Sequence, residues 1–183
     1  IILLVVIIMA IYASRHYLFT LNRLRGEQRL YYQDIVDSNL PSVTVLVPMH
    51  NEEQVAKQSM ETLLKCDYPI DKLEIIPIND HSTDGTREIL EKFASENSCI
   101  KPLHRNSVDR GKPAGLNEAM EIANGDIVIV FDADYLPNKG AIRDLAISFK
   151  DPEVGAVMGR VVPINTRKNL LTRLLDLERS GGY

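Results

Sequence analysis

The sequence contains no tryptophan, and only two of its 183 residues, Cys66 and Cys99, are cysteines. Its four histidines are dispersed, and no Cys-x-x-Cys pair occurs. A disulfide framework or a zinc site therefore has little support, and two reduced thiols are expected. The chain also lacks an excess of positive charge, since its formal net charge is −4. This excludes the broad basic surface typical of nucleic-acid binding, so an anionic ligand must be held by a local site.

Hydrophobic residues make up 45% of the chain, enough for one substantial domain with a packed core and a small appendage. The run IILLVVIIMAIYA at the start is unbroken and apolar. As a helix it is about 20 Å long, against about 30 Å for the hydrocarbon core of a bilayer. Because the chain begins at Ile1 without an initiator methionine, we interpret residues 1–20 as the end of a truncated transmembrane helix and residues 21–41 as a juxtamembrane connector.

Two alternatives for the apolar run are the core of a signal peptide and a buried helix of a soluble domain. A signal peptide would show a preceding basic stretch and a small-x-small cleavage site, and neither is visible. Basic residues instead follow the run, at Arg15, Arg23, Arg25 and Arg29. By the positive-inside tendency, the rest of the chain is expected in the cytoplasm, at the inner cell membrane.

From Pro41 onward, short runs of branched apolar residues alternate with helical patterns. The patterns predict strands at 43–48, 73–78, 100–104, 126–131 and 154–162, and helices at 52–65, 84–96, 113–123 and 138–149. This alternation indicates an α/β fold, a mostly parallel sheet with helices on both faces. Gly125 is expected to end the third of these helices in a left-handed cap. Residues 169–183 form one more amphipathic helical pattern.

Functional candidates follow the predicted strands, because ligands of open α/β sheets bind outside the carboxyl ends of the strands. They are Pro48, Met49, His50, Asn51, Glu52 and Glu53 after the first strand, Asn79, Asp80, His81, Ser82, Thr83 and Asp84 after the second, and Asp132 and Asp134 after the fourth. The segments HNEE and STDGT each have a simpler explanation, because their polar residues suit helix N-termini. For either segment alone, capping is the favoured interpretation.

The Asp132-Ala-Asp134 cluster is harder to explain by capping. Residues two apart in an extended segment face the same side, so two negative charges share one space after a predicted buried strand. A divalent cation relieves that repulsion, and oxygen ligands select Mg²⁺ or Mn²⁺. Two carboxylates leave coordination positions open for water and phosphate. The cluster therefore predicts a site that holds a diphosphate through a metal ion.

Four segments in this order, VTVLVPMHNEE, PINDHSTDGT, GKPAGLNEAM and IVIVFDADYLP, resemble the nucleotide-sugar half of family 2 glycosyltransferases with the Rossmann-like GT-A fold. The apolar run before them, and VGAVMGRVVPIN after them, are similar to the membrane-bound branch that includes cellulose, hyaluronan and poly-N-acetylglucosamine synthases. The resemblance implies an incomplete GT-A domain over residues 42–183, in a fragment that lacks its C-terminal part.

The resemblance also implies roles for individual residues. Nucleotide-sugar binding is expected of Pro48, His50, Asn51, Glu52, Asp80, Lys112 and Asp132. Asp80 matches the acid that recognises the base or ribose, and Asn79 stands where many members have a second Asp. Asp134 matches the direct ligand of Mg²⁺ or Mn²⁺, with Asp132 beside it. Arg160 is a further candidate for the sugar or diphosphate, with a structural ion pair as its alternative.

The function implied is transfer of a sugar, with inversion, from a nucleoside-diphosphate sugar, by family expectation a UDP-sugar, to a growing β-linked polysaccharide. The general base is expected beyond Tyr183, so this fragment alone should bind nucleotide without turnover. One alternative is transfer of a single sugar to a polyprenyl or dolichyl phosphate lipid, and another is a non-catalytic nucleotide-sugar-binding module. A Rossmann dehydrogenase is disfavoured because PMHNEE, not a Gly-x-Gly-x-x-Gly loop, follows the first strand.

Overall fold

The computed structural model describes residues 2–25, 40–159, 161 and 172. The chain divides into two compact units, Ile1–Ile35 and Val36–Tyr183. Three features of the sequence analysis fall elsewhere. Residues 26–39 of the predicted connector, Arg160, and the predicted C-terminal helix apart from Thr172 lie outside the described residues.

The first unit contains one helix, α1, over Ile2–Arg25. The large apolar side chains between Ile2 and Ile11 are exposed, with relative accessibilities from 48% to 81%. No helix in the described ranges is both long enough and apolar enough to cross a membrane. The predicted helix is therefore present, whereas the prediction that it spans a membrane is not supported.

The second unit is built on four parallel strands: β1, Val43–Met49; β2, Leu73–Asp80; β3, Leu103–Arg105; and β4, Ile127–Val130. Their order across the sheet is β3-β2-β1-β4, so β1 pairs with both β2 and β4. The direction of winding reverses between β1 and β4, which is the switch point where open α/β sheets bind ligands. The predicted α/β fold with a parallel sheet is confirmed.

Four helices accompany the sheet: α2, Glu53–Leu64; α3, Thr86–Glu96; α4, Lys112–Ile122; and α5, Ala141–Ser148. The two long strands are buried along nearly their whole length, which explains their continuous apolar sequences. Helix α4 contacts this core through Ala119, which groups with Leu46, Ile76 and Ile78. Gly115 allows the close approach, because a Cβ there would lie 3.1 Å from Cγ2 of Ile78.

Four local predictions differ from the structure. The Asp132-Ala133-Asp134 segment, predicted to be extended, lies in a turn in which the Tyr135 N–H donates to the Asp132 carbonyl at 3.0 Å. Residues 154–159 of the last predicted strand are not in a strand, and they include two glycines and an exposed Met158. The strand before the Asp-Ala-Asp cluster, β4, lies at the edge of the described sheet, and Val130 is 44% exposed because it has a neighbour on one side. Helix α4 ends in an extended residue, Ala123, and not in a left-handed glycine.

Gly125 has another purpose. A Cβ at this position would come within 2.4 Å of the Thr44 backbone nitrogen, so only glycine lets the turn before β4 lie against β1. The Gly125 N–H donates to Oγ1 of Thr44 at 2.9 Å. The turn before β4 is therefore held against β1 by close backbone packing and by this hydrogen bond.

A cluster of polar residues around the buried Glu74 and Thr44 joins elements in the same region. This Glu74 cluster comprises Glu74, Thr44 and the more exposed Lys101 and Asn124. The Glu74 carboxylate accepts hydrogen bonds from Oγ1 of Thr44 at 2.7 Å, Nζ of Lys101 at 2.7 Å and the Asn124 backbone at 2.9 Å. Burial alone would raise the pKa of Glu74, but these donors lower it to about 2. The cluster therefore joins β1, β2 and the turn between α4 and β4.

Candidate nucleotide-sugar site

A cleft of about 560 Å³ opens at the carboxyl ends of β1, β2 and β4, beside the first turn of α4. Seven of the predicted site residues line it: Pro48, His50, Glu52, Asp80, Lys112, Asp132 and Asp134. Asn51 does not line it. Met49, which follows the first predicted strand, does line it. The cleft further contains residues that the sequence analysis did not select: Ile78, Arg110, Gly111, Gly115 and Ala133. The structure thus brings together residues that are more than 80 positions apart in the chain.

Asp80, the last residue of β2, lies at the base of this cleft with its side chain 11% exposed. Its Oδ1 accepts hydrogen bonds from Nη1 of Arg105 at 2.5 Å and Nδ1 of His81 at 2.7 Å. Its Oδ2 accepts the Gly111 N–H at 2.7 Å. Burial opposes the charge, but the bonds from His81 and Gly111 and the charge of Arg105 lower the pKa of Asp80. Asp80 is therefore an ionised acceptor facing the cleft.

From the sequence, His81 was interpreted as an ordinary polar residue, and Arg105 was not selected. His81 adopts a left-handed backbone conformation, with φ of 58°, which is uncommon for a residue other than glycine. That conformation accompanies the bond from its ring to Asp80. Arg105 ends β3 and has no motif around it that marks it as functional. Only strand order brings it beside Asp80, since β3 pairs with β2.

The first turn of α4 and Arg110, two residues before this helix, carry the positive charge of the cleft. Gly111, with φ of 100°, precedes the helix in a conformation that favours glycine. Nζ of Lys112 forms an ion pair with Oδ1 of Asp132, both side chains being roughly half exposed (49% and 40%). The helix N-terminus and Lys112 together favour an anion at this point.

Asn51 belongs instead to a junction between the first turns of α2 and α3. Its Oδ1 accepts the Thr83 N–H at 2.8 Å, and its own N–H donates to Oγ of Ser82 at 3.0 Å. Glu53 accepts the Gly85 N–H at 2.8 Å, and Asp84 accepts the Glu53 N–H at 3.1 Å. At the start of its own helix, Asp84 also accepts the Thr86 N–H at 3.1 Å, which agrees with the capping interpretation of STDGT. Glu53 bonds to the start of α3 instead, and neither N-cap residue, Glu52 or Gly85, makes a side-chain cap hydrogen bond.

The donor set fits a divalent metal that is held jointly with a ligand. Asp134 is exposed in the cleft, and its carboxylate has no partner within the part of the chain that the structure describes. Across those residues, no three acidic, histidine or cysteine side chains are grouped so that they could hold a metal by themselves. Asp134 and Asp132 therefore provide an incomplete set of hard oxygen ligands, of the kind that Mg²⁺ or Mn²⁺ completes with phosphate and water.

A second groove, of about 640 Å³, lies at the amino ends of β1, β2 and β4, opposite the cleft. Its charged lining residues are Lys72, Asp126 and Lys150. The Asp126 carboxylate is occupied by Ser42, which donates both its backbone N–H, at 3.0 Å, and its hydroxyl, at 2.6 Å. This groove is larger than the cleft, but it lacks a carboxylate pair and the carboxyl ends of strands, so the chemistry points to the cleft.

Several solved structures share the fold of this chain. A mannosyltransferase from Pyrobaculum calidifontis, in complex with GDP-Man and Mn²⁺, is 28% identical with a TM-score of 0.69; the match covers 82% of this chain and 44% of that one. Staphylococcus aureus TarS in complex with UDP-GlcNAc is 29% identical with a TM-score of 0.55, covering 70% and 38%. The fold and the cleft thus define a glycosyltransferase of the GT-A class.

The chain belongs to glycosyltransferase family 2. The family model described as Glycosyl transferase family 2 matches residues 44–181. The probable glycosyltransferase YdaM of Bacillus subtilis is 39% identical over 142 residues, covering 76% of this chain and 34% of YdaM. A beta-monoglucosyldiacylglycerol synthase of Nostoc is 33% identical over 144 residues, covering 78% and 31%. The chain spans about a third of the length of these relatives.

Proposed function

We propose that the cleft binds a nucleoside-diphosphate sugar, specifically a UDP-sugar, and that the protein transfers the sugar, with inversion, to a growing β-linked polysaccharide. The observation that carries the proposal is the convergence of Asp80, Lys112, Asp132 and Asp134 in one cleft. An ionised acceptor at one side and a cation with two carboxylates at the other match the two ends of a nucleoside diphosphate.

Each end of the donor has its own contacts in this proposal. The nucleoside lies along Pro48, His50 and Glu52, with its base at Asp80. Asn51 supports this wall through the junction of α2 and α3 and makes no contact itself. Lys112 and the first turn of α4 receive the diphosphate, where they stabilise the negative charge that develops as the sugar departs.

Asp134, with Asp132 beside it, would hold Mg²⁺ or Mn²⁺ against the diphosphate. When bound, the ion supplies Lewis-acid stabilisation of the leaving group. Binding at Asp132 requires Lys112 to leave its ion pair, which frees the ammonium group to contact phosphate. The acceptor hydroxyl needs a general base as well. The expectation that this base lies beyond Tyr183 stays a prediction, as do the inner-membrane location and the cytoplasmic orientation.

A lipid acceptor is the second candidate, now as a glycolipid synthase. Relatives named as beta-monoglucosyldiacylglycerol synthases favour it, whereas the relative named poly-beta-1,6-N-acetyl-D-glucosamine synthase, from Staphylococcus aureus, favours a polymer. Both candidates use the same donor cleft. Because the general base is expected beyond Tyr183, the assay that separates them uses a longer form of the protein that extends past Tyr183. Incubated with radiolabelled UDP-sugar and either diacylglycerol or an oligosaccharide, it identifies the acceptor by the product that becomes labelled.

Calorimetric titration of the 183-residue chain with UDP and GDP, with and without Mn²⁺, tests the donor site. Mn²⁺ should raise the affinity for UDP by at least about tenfold, and Asp134→Asn should remove that gain. Asp71→Asn is the matched control, because Asp71 is an exposed acid just before the amino end of β2, whereas the cleft lies at the carboxyl ends of the strands. Absence of nucleotide binding would refute the proposal. Binding that ignores Mn²⁺ in both the unaltered chain and Asp134→Asn would refute the role of the carboxylate pair.

A further inference from the structure

Arg105 is the most buried charged side chain next to the cleft, with only 1% of it exposed. It does not line the cleft. Its guanidinium donates from Nη1 to Asp80, from Nε to Oε2 of Glu118, and from Nη2 to Oγ of Ser107 and the Asp109 carbonyl, both at 2.8 Å. One nitrogen of the guanidinium thus binds Asp80, and another binds Ser107 and Asp109 in the loop that leads to α4. Arg105 can therefore influence a ligand only through the groups that it holds.

The bonds to Asp80 leave one acceptor position for a ligand. A carboxylate has about four such positions, two on each oxygen. On Oδ1, Arg105 and His81 take both. On Oδ2, the Gly111 N–H takes one. The remaining position is on Oδ2.

We propose that Arg105 is a positioning residue for nucleotide selectivity, because it saturates Oδ1 of Asp80 and leaves that carboxylate a single acceptor for the base. Uracil presents one ring N–H, which one acceptor satisfies. Guanine presents a ring N–H and an adjacent amino group, which together need both oxygens of a carboxylate. With Oδ1 occupied, one guanine donor is desolvated without a partner, and that costs affinity.

This inference rests on the proposed function, since it needs the base to lie against Asp80. Glu118 is a more accessible residue through which the position of Arg105 can be altered. It is on α4, 39% exposed, and it receives Nε of Arg105. Removing its charge loosens one end of the guanidinium and leaves Asp80 itself intact. The fully buried Arg105 is the more direct target, but its loss leaves two carboxylates without their partner.

The test is the ratio of the dissociation constants for GDP and UDP, measured by calorimetry on the full chain with Mn²⁺. The unaltered protein should bind UDP more tightly by about tenfold or more, the value of one hydrogen bond to a charged group. Arg105→Gln should lower the ratio by about fivefold or more, and Glu118→Gln by about twofold, because Oδ1 becomes available to guanine. Glu121→Gln, on the same helix and exposed, is the matched control and should leave the ratio unchanged.

The ratio separates selectivity from structure, because a merely loosened cleft weakens both nucleotides alike. Preference of the unaltered protein for GDP, or a ratio that stays constant in Arg105→Gln and Glu118→Gln, would overturn the inference and leave the proposed function standing. If Arg105→Gln does not fold, as judged by its thermal transition, Glu118→Gln decides alone. Failure to bind either nucleotide would instead refute the proposed function.

Discussion

Lys112 places a positive charge beside the predicted metal ligands, through its ion pair with Asp132. Its ion pair with Asp132 is roughly half exposed, and such pairs contribute at most about 1 kcal/mol to the stability of a protein. The pair therefore adds little to the fold. Under the proposed function, a diphosphate would take Lys112 and a metal ion would take Asp132, so the pair would be exchanged when both bind.

Replacing Lys112 by glutamine should lower the affinity for UDP by about tenfold, because a charge-assisted hydrogen bond to phosphate is lost. The midpoint of urea unfolding should change little. Titration of Mn²⁺ in the absence of nucleotide should show equal or tighter binding, since Asp132 no longer has a competing cation. Lys92→Gln, an exposed lysine on α3, provides the control. Unchanged UDP affinity in Lys112→Gln would contradict the assignment of Lys112 to the diphosphate.

Gly125 tests the close contact between the turn and β1. An alanine Cβ would lie 2.4 Å from the Thr44 nitrogen and 2.7 Å from the Val43 carbonyl carbon. Because both neighbours are backbone atoms, they cannot move aside cheaply, and Gly125→Ala should destabilise the protein by about 1–3 kcal/mol. Urea denaturation measures the loss. Gly155→Ala is the matched control, since nothing lies within 4 Å of its Cβ, and equal effects in the two variants would be the contrary result.

At the level of single residues, the sequence indicated those functional groups that follow a strand within a recognisable motif. Asp80, Asp132 and Asp134 were selected in this way, and the structure places all three in one cleft. Arg105 escaped notice because its role depends on the pairing of β3 with β2, which no local pattern encodes. Asn51 was assigned to the nucleotide because position in a motif does not reveal that an amide bonds to a neighbouring loop.

The Glu74 cluster joins β1, β2 and the turn before β4 at the amino ends of these strands. Glu74 is on β2, Thr44 is on β1, and Asn124 is in the turn before β4. The carboxylate is 11% exposed, so its hydrogen bonds are largely shielded from water. One acid thereby fixes the relative positions of three elements.

The Glu74 cluster makes stability depend on pH. Because the pKa of Glu74 is lowered from its usual 4.5 to about 2, its contribution is complete above pH 4.5 and is lost as the pH falls toward 2. Glu74→Gln should therefore reduce the free energy of unfolding by about 2–3 kcal/mol at pH 7, with the difference narrowing between pH 4.5 and 2. Chemical denaturation across this range measures it. Glu96→Gln, an exposed acid of α3, is the control, and a difference independent of pH would speak against the lowered pKa.

Element boundaries were predictable where packing and pattern agree. The helices α2, α3 and α4 begin and end within two residues of their predicted limits, because apolar periodicity marks their buried faces. The strand predicted at 154–162 was wrong for residues 154–159. Its branched residues suit a strand, but the structure provides no neighbouring strand for them among the described residues, and pairing is a property of the fold and not of the segment.

For the whole molecule, the parallel sheet and the family were both predicted correctly, since several ordered motifs carry more information than any one of them. The membrane-spanning interpretation of residues 1–20 did not gain support. All of the cleft residues lie in the second unit, Val36–Tyr183, whereas α1 lies in the first. Nucleotide binding should therefore be a property of the second unit.

Deleting residues 1–35 should leave the dissociation constant for UDP within about twofold of that of the full chain, because every residue that lines the cleft belongs to the second unit. Removing the exposed apolar side chains of α1 should also reduce self-association, which light scattering at increasing protein concentration will detect. A fall in UDP affinity of more than about fivefold would show that the first unit takes part in the site.

The strand order has a consequence for biosynthesis. The segments that form the cleft end at Asp134, and β4 pairs with β1 across about 80 intervening residues. A nascent chain that has emerged only as far as α4 already has β1, β2 and β3, but it has neither carboxylate of the Asp-Ala-Asp cluster. Under the proposed function, metal-dependent affinity for a nucleotide would be acquired only after Asp134 has emerged, so capture of a ribosome-bound series of increasing length by immobilised UDP would time the moment at which β4 joins the sheet.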